Sequence, residues 1–253
     1  MRRGGDAGPH TESVAVEEPL EIRLGDTPLA VTMRTPGDDP DLALGFLLTE
    51  GVVLSPGEIS RVEPSSRVGE SSVTVRLSPG VQVDAGRFQR SLFVSSSCGI
   101  CGKASIDGVK LFARPPKAFT LSHATLGGLT ALLRRHQPTF DETGGLHAAG
   151  LFSPAGEVIA VREDVGRHNA VDKVIGAAAR DGWPLPPAVL VVSGRQSFEI
   201  VQKAAMAGIG GVVGVSAPSS LAVDLARELG MLLVGFAREG GFNVYAGAER
   251  LTG

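Results

Sequence analysis

Ala188-Val189-Leu190-Val191-Val192-Ser193-Gly194-Arg195-Gln196-Ser197 is a short, continuously apolar run that breaks into a polar turn of small residues. The run reads as a strand buried on both faces, and the turn as the entry to a helix over about residues 197–207. The unit recurs downstream. Val212 to Val215 leads through Ser216-Ala217-Pro218-Ser219-Ser220 to a helix with Leu221, Leu225 and Leu229 on its apolar face, closed by Gly230. Met231 to Phe236 is the next strand and Phe242 to Tyr245 the last. Upstream lie strands around Gly150-Leu151-Phe152 and Glu157 to Val161, then a helix with Val171, Val174, Ile175 and Ala178 at helical spacing, ending near Gly182. Before them, Ser122 can cap a helix over Leu126, Leu129, Leu132 and Leu133 that stops ahead of Pro138. Apolar strands separated by amphipathic helices predict a three-layer α/β domain with parallel crossovers over residues 118–253.

The preceding part has a different rhythm. Leu20 to Leu24 and Leu29 to Met33 alternate apolar and polar around Gly25-Asp26-Thr27-Pro28, a hairpin pattern. Asp41 can cap a helix through Leu42, Leu44, Phe46, Leu47 and Leu48 that Gly51 closes, and Ser72 to Leu77 alternates again. Residues 19–117 therefore read as a smaller α+β domain, bounded by Arg114-Pro115-Pro116-Lys117. Residues 1–18 are polar and Gly-rich and read as a disordered tail.

Composition narrows the function classes. The chain has 253 residues, 43% of them hydrophobic, and a net charge of −3 without a basic block, which argues against bulk nucleic-acid binding. No apolar stretch of signal-peptide length follows Arg2-Arg3, and no segment has the ~18 uninterrupted apolar residues of a membrane span. The expectation is a cytoplasmic protein, with its thiols reduced.

In an open α/β sheet, ligands gather outside the carboxyl ends of the strands. Four such ends are notable: Arg162 to Asn169, Ser193 to Ser197, Ser216 to Ser220, and Phe236 to Gly241. The second and third are hydroxyl-rich turns opening helices, where free backbone N–H groups favour anions. Arg167, Arg195 and Arg238 could add bidentate phosphate contacts. Taken singly, each arginine would be a surface ion pair worth ~0–1 kcal/mol. Three at corresponding strand ends favour a phosphate-bearing ligand. His147 and His168 are the histidines placed to face it, although a lone histidine more often has a structural role.

Both cysteines lie in Ser95-Ser96-Ser97-Cys98-Gly99-Ile100-Cys101-Gly102-Lys103. Three chemistries fit. Thioredoxin-like exchange would need the motif to open a helix, which Gly102 and Asp107-Gly108 interrupt. A zinc site would need two further ligands, with His147 and His168 available to complete the shell. The third is a nucleophilic or sulfur-carrying thiolate, its pKa lowered from ~8.5 by Lys103 and nearby backbone N–H groups.

The Cys98 to Gly102 motif, together with Arg34 to Asp39, Gly45-Phe46-Leu47, Thr49-Glu50-Gly51, Gly145 to Ala149, Arg162 to Lys173, Ser193 to Ser197, Ser216 to Leu221 and Phe236 to Tyr245, resembles the formate dehydrogenase accessory sulfurtransferase (FdhD) family over all but the first eighteen residues. The resemblance implies a cytoplasmic sulfur carrier. It would take persulfide sulfur from a cysteine desulfurase and pass it to the bis(molybdopterin guanine dinucleotide) molybdenum cofactor, which is then inserted into formate dehydrogenase. Cys98 would carry the persulfide and Cys101 would assist. The family's cofactor-binding segment aligns with Phe236, Ala237, Arg238, Glu239, Gly240 and Gly241; Arg195, Ser197, His168 and Ser219 are the further cofactor contacts expected. The resemblance also implies a cytidine-deaminase-like second domain. His168-Asn169-Ala170 lacks the catalytic Glu of the deaminases, and their later paired cysteines are missing, so no metal is expected. A pair of two-tailed cofactor sites would suit a homodimer. The alternatives are a cofactor-binding chaperone without sulfur chemistry and a zinc protein using the cysteine pair.

Overall fold

The computed structural model describes residues 11–65, 71–83, 109–110 and 112–253. Cys98 and Cys101 lie outside the described residues, as do residues 1–10 of the expected tail.

The first layer is a four-stranded sheet in the order β2-β1-β4-β3. Strands β1 (Glu18–Leu24) and β2 (Thr27–Arg34) form the expected antiparallel hairpin, β4 (Ser72–Leu77) pairs parallel to β1, and β3 (Ile59–Pro64) pairs antiparallel to β4. The alternation in the sequence becomes a face: Leu20, Ile22 and Leu24 of β1 are buried with Val73 and Val75 of β4.

Helix α1 (Asp39–Thr49) covers that face. It begins earlier than its sequence suggests. Asp38 occupies the N-cap in a left-handed conformation (φ 57°), and Asp41 lies inside the first turn, buried. Asp41 does not cap because its carboxylate is engaged elsewhere, by Arg162 Nη2 at 3.0 Å and Arg180 Nη1 at 2.9 Å. Leu42, Ala43, Leu44, Leu47 and Leu48 are all buried, so α1 is apolar nearly all round and must be covered on both sides.

Its second cover is α4 (Arg167–Asp181). The two helices touch backbone to backbone. A Cβ on Gly45 would lie 1.8 Å from the Asp172 carbonyl oxygen, and one on Gly176 would lie 1.9 Å from that of Asp41. Only glycine permits that approach at either position.

Helix α4 lies on a six-stranded sheet in the order β11-β10-β9-β8-β6-β7, with β6 (His147–Phe152), β7 (Val158–Asp164), β8 (Val189–Val192), β9 (Gly211–Gly214), β10 (Leu232–Arg238) and β11 (Gly241–Ala246). Strands β8, β9 and β10 are parallel, and β6 is antiparallel to both β8 and β7. Four strands, β7 through β10, therefore end on one edge of the sheet. Leu126, Leu129 and Leu133 of α2 (His123–Arg134) cover one face through Phe152, Val189, Val191, Val213 and Val234. The other face buries Leu151, Leu190, Val192, Val212 and Leu233 under α4, α5 (Phe198–Met206) and α6 (Ser220–Glu228). This is the three-layer α/β arrangement expected. One apolar cluster runs on from it through α1 to Leu20 and Val73 of the first sheet.

Pro138 does not merely stop α2; it opens a further short helix, α3 (Pro138–Thr143), where its fixed φ suits the first turn. Two-residue strands β5 (Leu121–Ser122) and β12 (Leu251–Thr252) pair in parallel. No helix of the described residues is long and apolar enough to cross a membrane.

Candidate functional site at the shared strand edge

The site is built where β7 gives way to α4. Asp164, fully buried at the end of β7, accepts from Gly166 N at 2.8 Å and Asn169 Nδ2 at 3.0 Å, fixing the turn that presents Arg167 and His168. Its other oxygen accepts from Thr35 N at 3.1 Å and lies 2.7 Å from Lys173 Nζ, which in turn donates to Thr35 O at 2.8 Å. Glu163 turns the other way and accepts from Thr139 N and Phe140 N at the start of α3. Thus Arg34 to Asp39 and Arg162 to Lys173, separate in sequence, form one buried polar seam.

A second buried cluster sits deeper. Lys203 Nζ of α5 donates to Asp172 Oδ2 at 2.9 Å, Glu50 Oε1 at 2.8 Å and Thr49 Oγ1 at 3.0 Å. Burial opposes charge on Lys203, but the two carboxylates outweigh it and raise its pKa. Asp172 moves up to about 6, because the desolvation of its carboxylate exceeds the attraction of Lys203. The cluster joins α1, α4 and α5 behind the site.

At the edge itself, His168 Nε2 lies 3.3 Å from Ser197 Oγ, the N-cap residue of α5. Ser197 makes no side-chain cap, so its hydroxyl is turned to the imidazole. Burial holds the His168 pKa down at about 4, helped by the positive charges of Lys203 and Arg167 and opposed by Glu199. Burial also lowers His147, and Arg167 adds to that effect. Both imidazoles are neutral at neutral pH, so they offer one donor and one acceptor each. His147 and Arg167 meet over Gly194: a Cβ there would lie 3.3 Å from His147 Nδ1 and 3.8 Å from Arg167 Cδ. The Nε of Arg167 is buried and has no hydrogen-bond partner among the described residues.

The other expected residues share this edge but not one contact. Arg195 is exposed on the turn after β8. Ser219 is the N-cap of α6 and accepts from Ala222 N at 3.3 Å. Phe236 is 41% exposed and holds φ 53°, a strained conformation for an aromatic residue. Arg238, Glu239, Gly240 and Gly241 are exposed, whereas Ala237 is packed into the core and can offer a ligand only its backbone.

Sequence reading missed the residue that holds these ends in register. Gln196 is fully buried; its N donates to Ala217 O, its carbonyl accepts from Ser219 N, and its Nε2 donates to Val234 O at 3.1 Å. The turns after β8 and β9 are thereby tied to each other and to β10. A glutamine between two serines in a polar turn carries no signal for such a role. Among the described residues no group of three His, Cys, Asp or Glu side chains could hold a metal ion.

The FdhD/NarQ family model matches residues 15–252. The chain belongs to the FdhD/NarQ family. It is 50% identical over 261 residues to the sulfur carrier protein FdhD of Streptomyces coelicolor, covering 99% of this chain and 93% of that protein. The FdhD of Mycobacterium tuberculosis, also a sulfur carrier protein, is 50% identical over 254 residues, 95% of this chain and 92% of its own. A crystal structure assigned to a formate dehydrogenase accessory protein of Desulfotalea psychrophila superposes with a TM-score of 0.76 at 25% identity, covering 95% of this chain and 91% of that one. In this FdhD/NarQ chain the segment Arg162 to Lys173 therefore builds the buried seam with one set of side chains and faces the strand edge with another.

Proposed function

We propose that this chain is a sulfur carrier for the maturation of formate dehydrogenase. Its partners are a cysteine desulfurase, formate dehydrogenase, and the bis(molybdopterin guanine dinucleotide) molybdenum cofactor as cargo. The observation that carries the reading is the cationic strand edge. Among the described residues the buried Nε of Arg167 has no hydrogen-bond partner, and it lies beside two neutral histidines, with Arg195 and Arg238 exposed on neighbouring turns. Anionic phosphate tails suit such an edge, where helix N-termini add partial positive charge. The likeness to sulfur carrier proteins over nearly the whole chain supports the sulfur chemistry.

The Cys98 thiolate attacks the outer sulfur of the desulfurase persulfide; a new S–S bond forms and the desulfurase thiolate leaves. Cys101 then attacks the inner sulfur on Cys98, forming the Cys98–Cys101 disulfide and releasing hydrosulfide toward the cofactor. A dithiol reductant returns both cysteines to thiols. A homodimer would place two such edges at the disposal of a two-tailed cofactor. Replacing Cys98 with Ala leaves cofactor binding intact and formate dehydrogenase inactive. Full formate dehydrogenase activity with Cys98→Ala overturns the reading in favour of a cofactor-binding chaperone.

A further inference from the structure

Both ends of the stretch that carries Cys98 and Cys101 root at one place on the body. Residues 84–108 separate Val83 from Val109. On the leaving side, Ser78 follows β4; its N donates to Glu58 O and its Oγ to Gly57 O at 3.0 Å, in the single 3-10 turn Pro56–Glu58. On the returning side, Val109 is buried, and Arg114 donates from N to Ala205 O and from Nη2 to Leu54 O. Trp183 Nε1 donates to the same Leu54 carbonyl at 3.1 Å, and the Arg114 guanidinium lies over the Trp183 ring at 4.7 Å.

The surface around this root is apolar. Leu54 is 54% and Phe112 38% exposed, Trp183 is half-buried, and Pro184 and Pro186 are exposed. Apolar side chains presented together on a protein surface mark an interaction site, and Trp and Arg are the residues on which such contacts most depend. A cleft of about 350 Å³ continues the patch from Pro56 along Leu44, Ile59 and Val62, with Arg61 and Arg180 at its rim. Arg180 shares the Asp41 carboxylate with Arg162, and among the described residues Arg114 meets a carbonyl and an indole but no carboxylate. The patch thus carries surplus positive charge in a chain of net charge −3, and it suits an apolar contact bordered by carboxylates.

It lies at the far end of α4 from the strand edge. Arg167 opens that helix and Trp183 stands just beyond its end, so 15 residues at a rise of 1.5 Å put about 22 Å between them. Cys98 is eleven residues from Val109, a reach of up to about 40 Å when extended. A donor seated on the patch can meet the thiol while the strand edge stays free.

We propose that this patch, centred on Leu54, Trp183 and Arg114, is where the persulfide donor docks: a cysteine desulfurase presenting an apolar contact with an acidic border. The assignment rests on the sulfur-carrier reading above and adds the surface through which the sulfur arrives.

Loading of Cys98 in the full chain, followed by mass spectrometry over a range of concentrations of a purified cysteine desulfurase supplied with cysteine, tests this. Leu54→Asp sets a carboxylate on the cationic patch; it raises the desulfurase concentration for half-maximal loading about tenfold or more and leaves the maximal rate as in wild type. Arg114→Gln raises it less and flattens its dependence on salt. Val158→Asp, at a residue 39% exposed at the start of β7, changes neither. Inorganic polysulfide, from which the Cys98 thiolate takes one sulfur as a shorter polysulfide leaves, loads Leu54→Asp as fast as wild type and so shows that the variant is folded around an intact thiol. The proposal is overturned if Leu54→Asp keeps the wild-type half-saturation, whether or not sedimentation finds its self-association or its binding to formate dehydrogenase lost instead. It is also overturned if the variant loses polysulfide loading to the same extent, or if wild type takes sulfur from polysulfide but not from the loaded desulfurase. A wild type that takes sulfur from neither overturns the carrier reading as a whole.

Discussion

Replacing His168 with Gln should flatten the acid side of the protein's stability profile. In the folded chain the His168 pKa lies at about 4, against an ordinary value of 6.5. The unfolded chain therefore binds the extra proton first as pH falls. The contribution of neutral His168 is fully present above the unfolded value and is lost as pH drops toward the folded one. Worked through that linkage, lowering the pH from about 7.5 to about 5 removes about 2 kcal/mol from this residue alone. His147 shifts in the same direction but is present in both proteins, so it cancels in the comparison. Gln can keep a hydrogen bond with Ser197 Oγ, limiting the damage at neutral pH. Urea unfolding followed by circular dichroism at the two pH values measures the difference. The wild type should lose about 2 kcal/mol more than His168→Gln over that interval. Equal losses in the two proteins would refute the argument that burial, Lys203 and Arg167 keep this imidazole neutral.

The same unfolding assay reads two other features. Gly45→Ala sets a methyl group 1.8 Å from the Asp172 carbonyl oxygen and should cost about 3 kcal/mol or more as α1 and α4 are pushed apart, whereas Gly128→Ala, exposed inside α2 with open space at its Cβ, should stabilise by about 0.5–1 kcal/mol. Lys203→Met strips Asp172 and Glu50 of their shared ammonium and should destabilise by about 3–5 kcal/mol near neutral pH, with part of the loss recovered as Asp172 takes up a proton on acidification. A loss under about 1 kcal/mol would show that water reaches the cluster.

The three-layer body was legible because its evidence is local. Val189 to Val192 is apolar without interruption, and helix periodicity resumes within a few residues on either side. Parallel direction followed from the helical crossovers, which is why all four strand ends fell on one edge. What sequence could not display depends on distant partners. Asp41 looks like a helix cap until Arg162 and Arg180 are brought to it. Lys203 reads as an ordinary helix-surface lysine, and its partners Glu50 and Asp172 lie in other segments. Pro138 fits a helix stop and a helix start equally well, and only the Glu163 carboxylate accepting from Thr139 and Phe140 decides for the second. Of the candidate residues at the strand edge, the exposed arginines announced themselves by charge. The buried Gln196 that ties the turns together did not, because an amide has no signature until its burial is known. The cysteine pair was the reverse case: Cys98-Gly99-Ile100-Cys101 is conspicuous in the sequence, yet taken alone it admits three chemistries, and only the resemblance of the whole chain chooses among them.

The central claim is that Cys98 carries sulfur, and mass spectrometry addresses it directly. The full chain is incubated with a cysteine desulfurase and cysteine, digested without reductant, and the peptide spanning Cys98 and Cys101 is weighed and fragmented. The account predicts a gain of one sulfur atom on Cys98, and none at that position in Cys98→Ala. A peptide that gains no sulfur, under conditions in which the desulfurase itself is loaded, would contradict it.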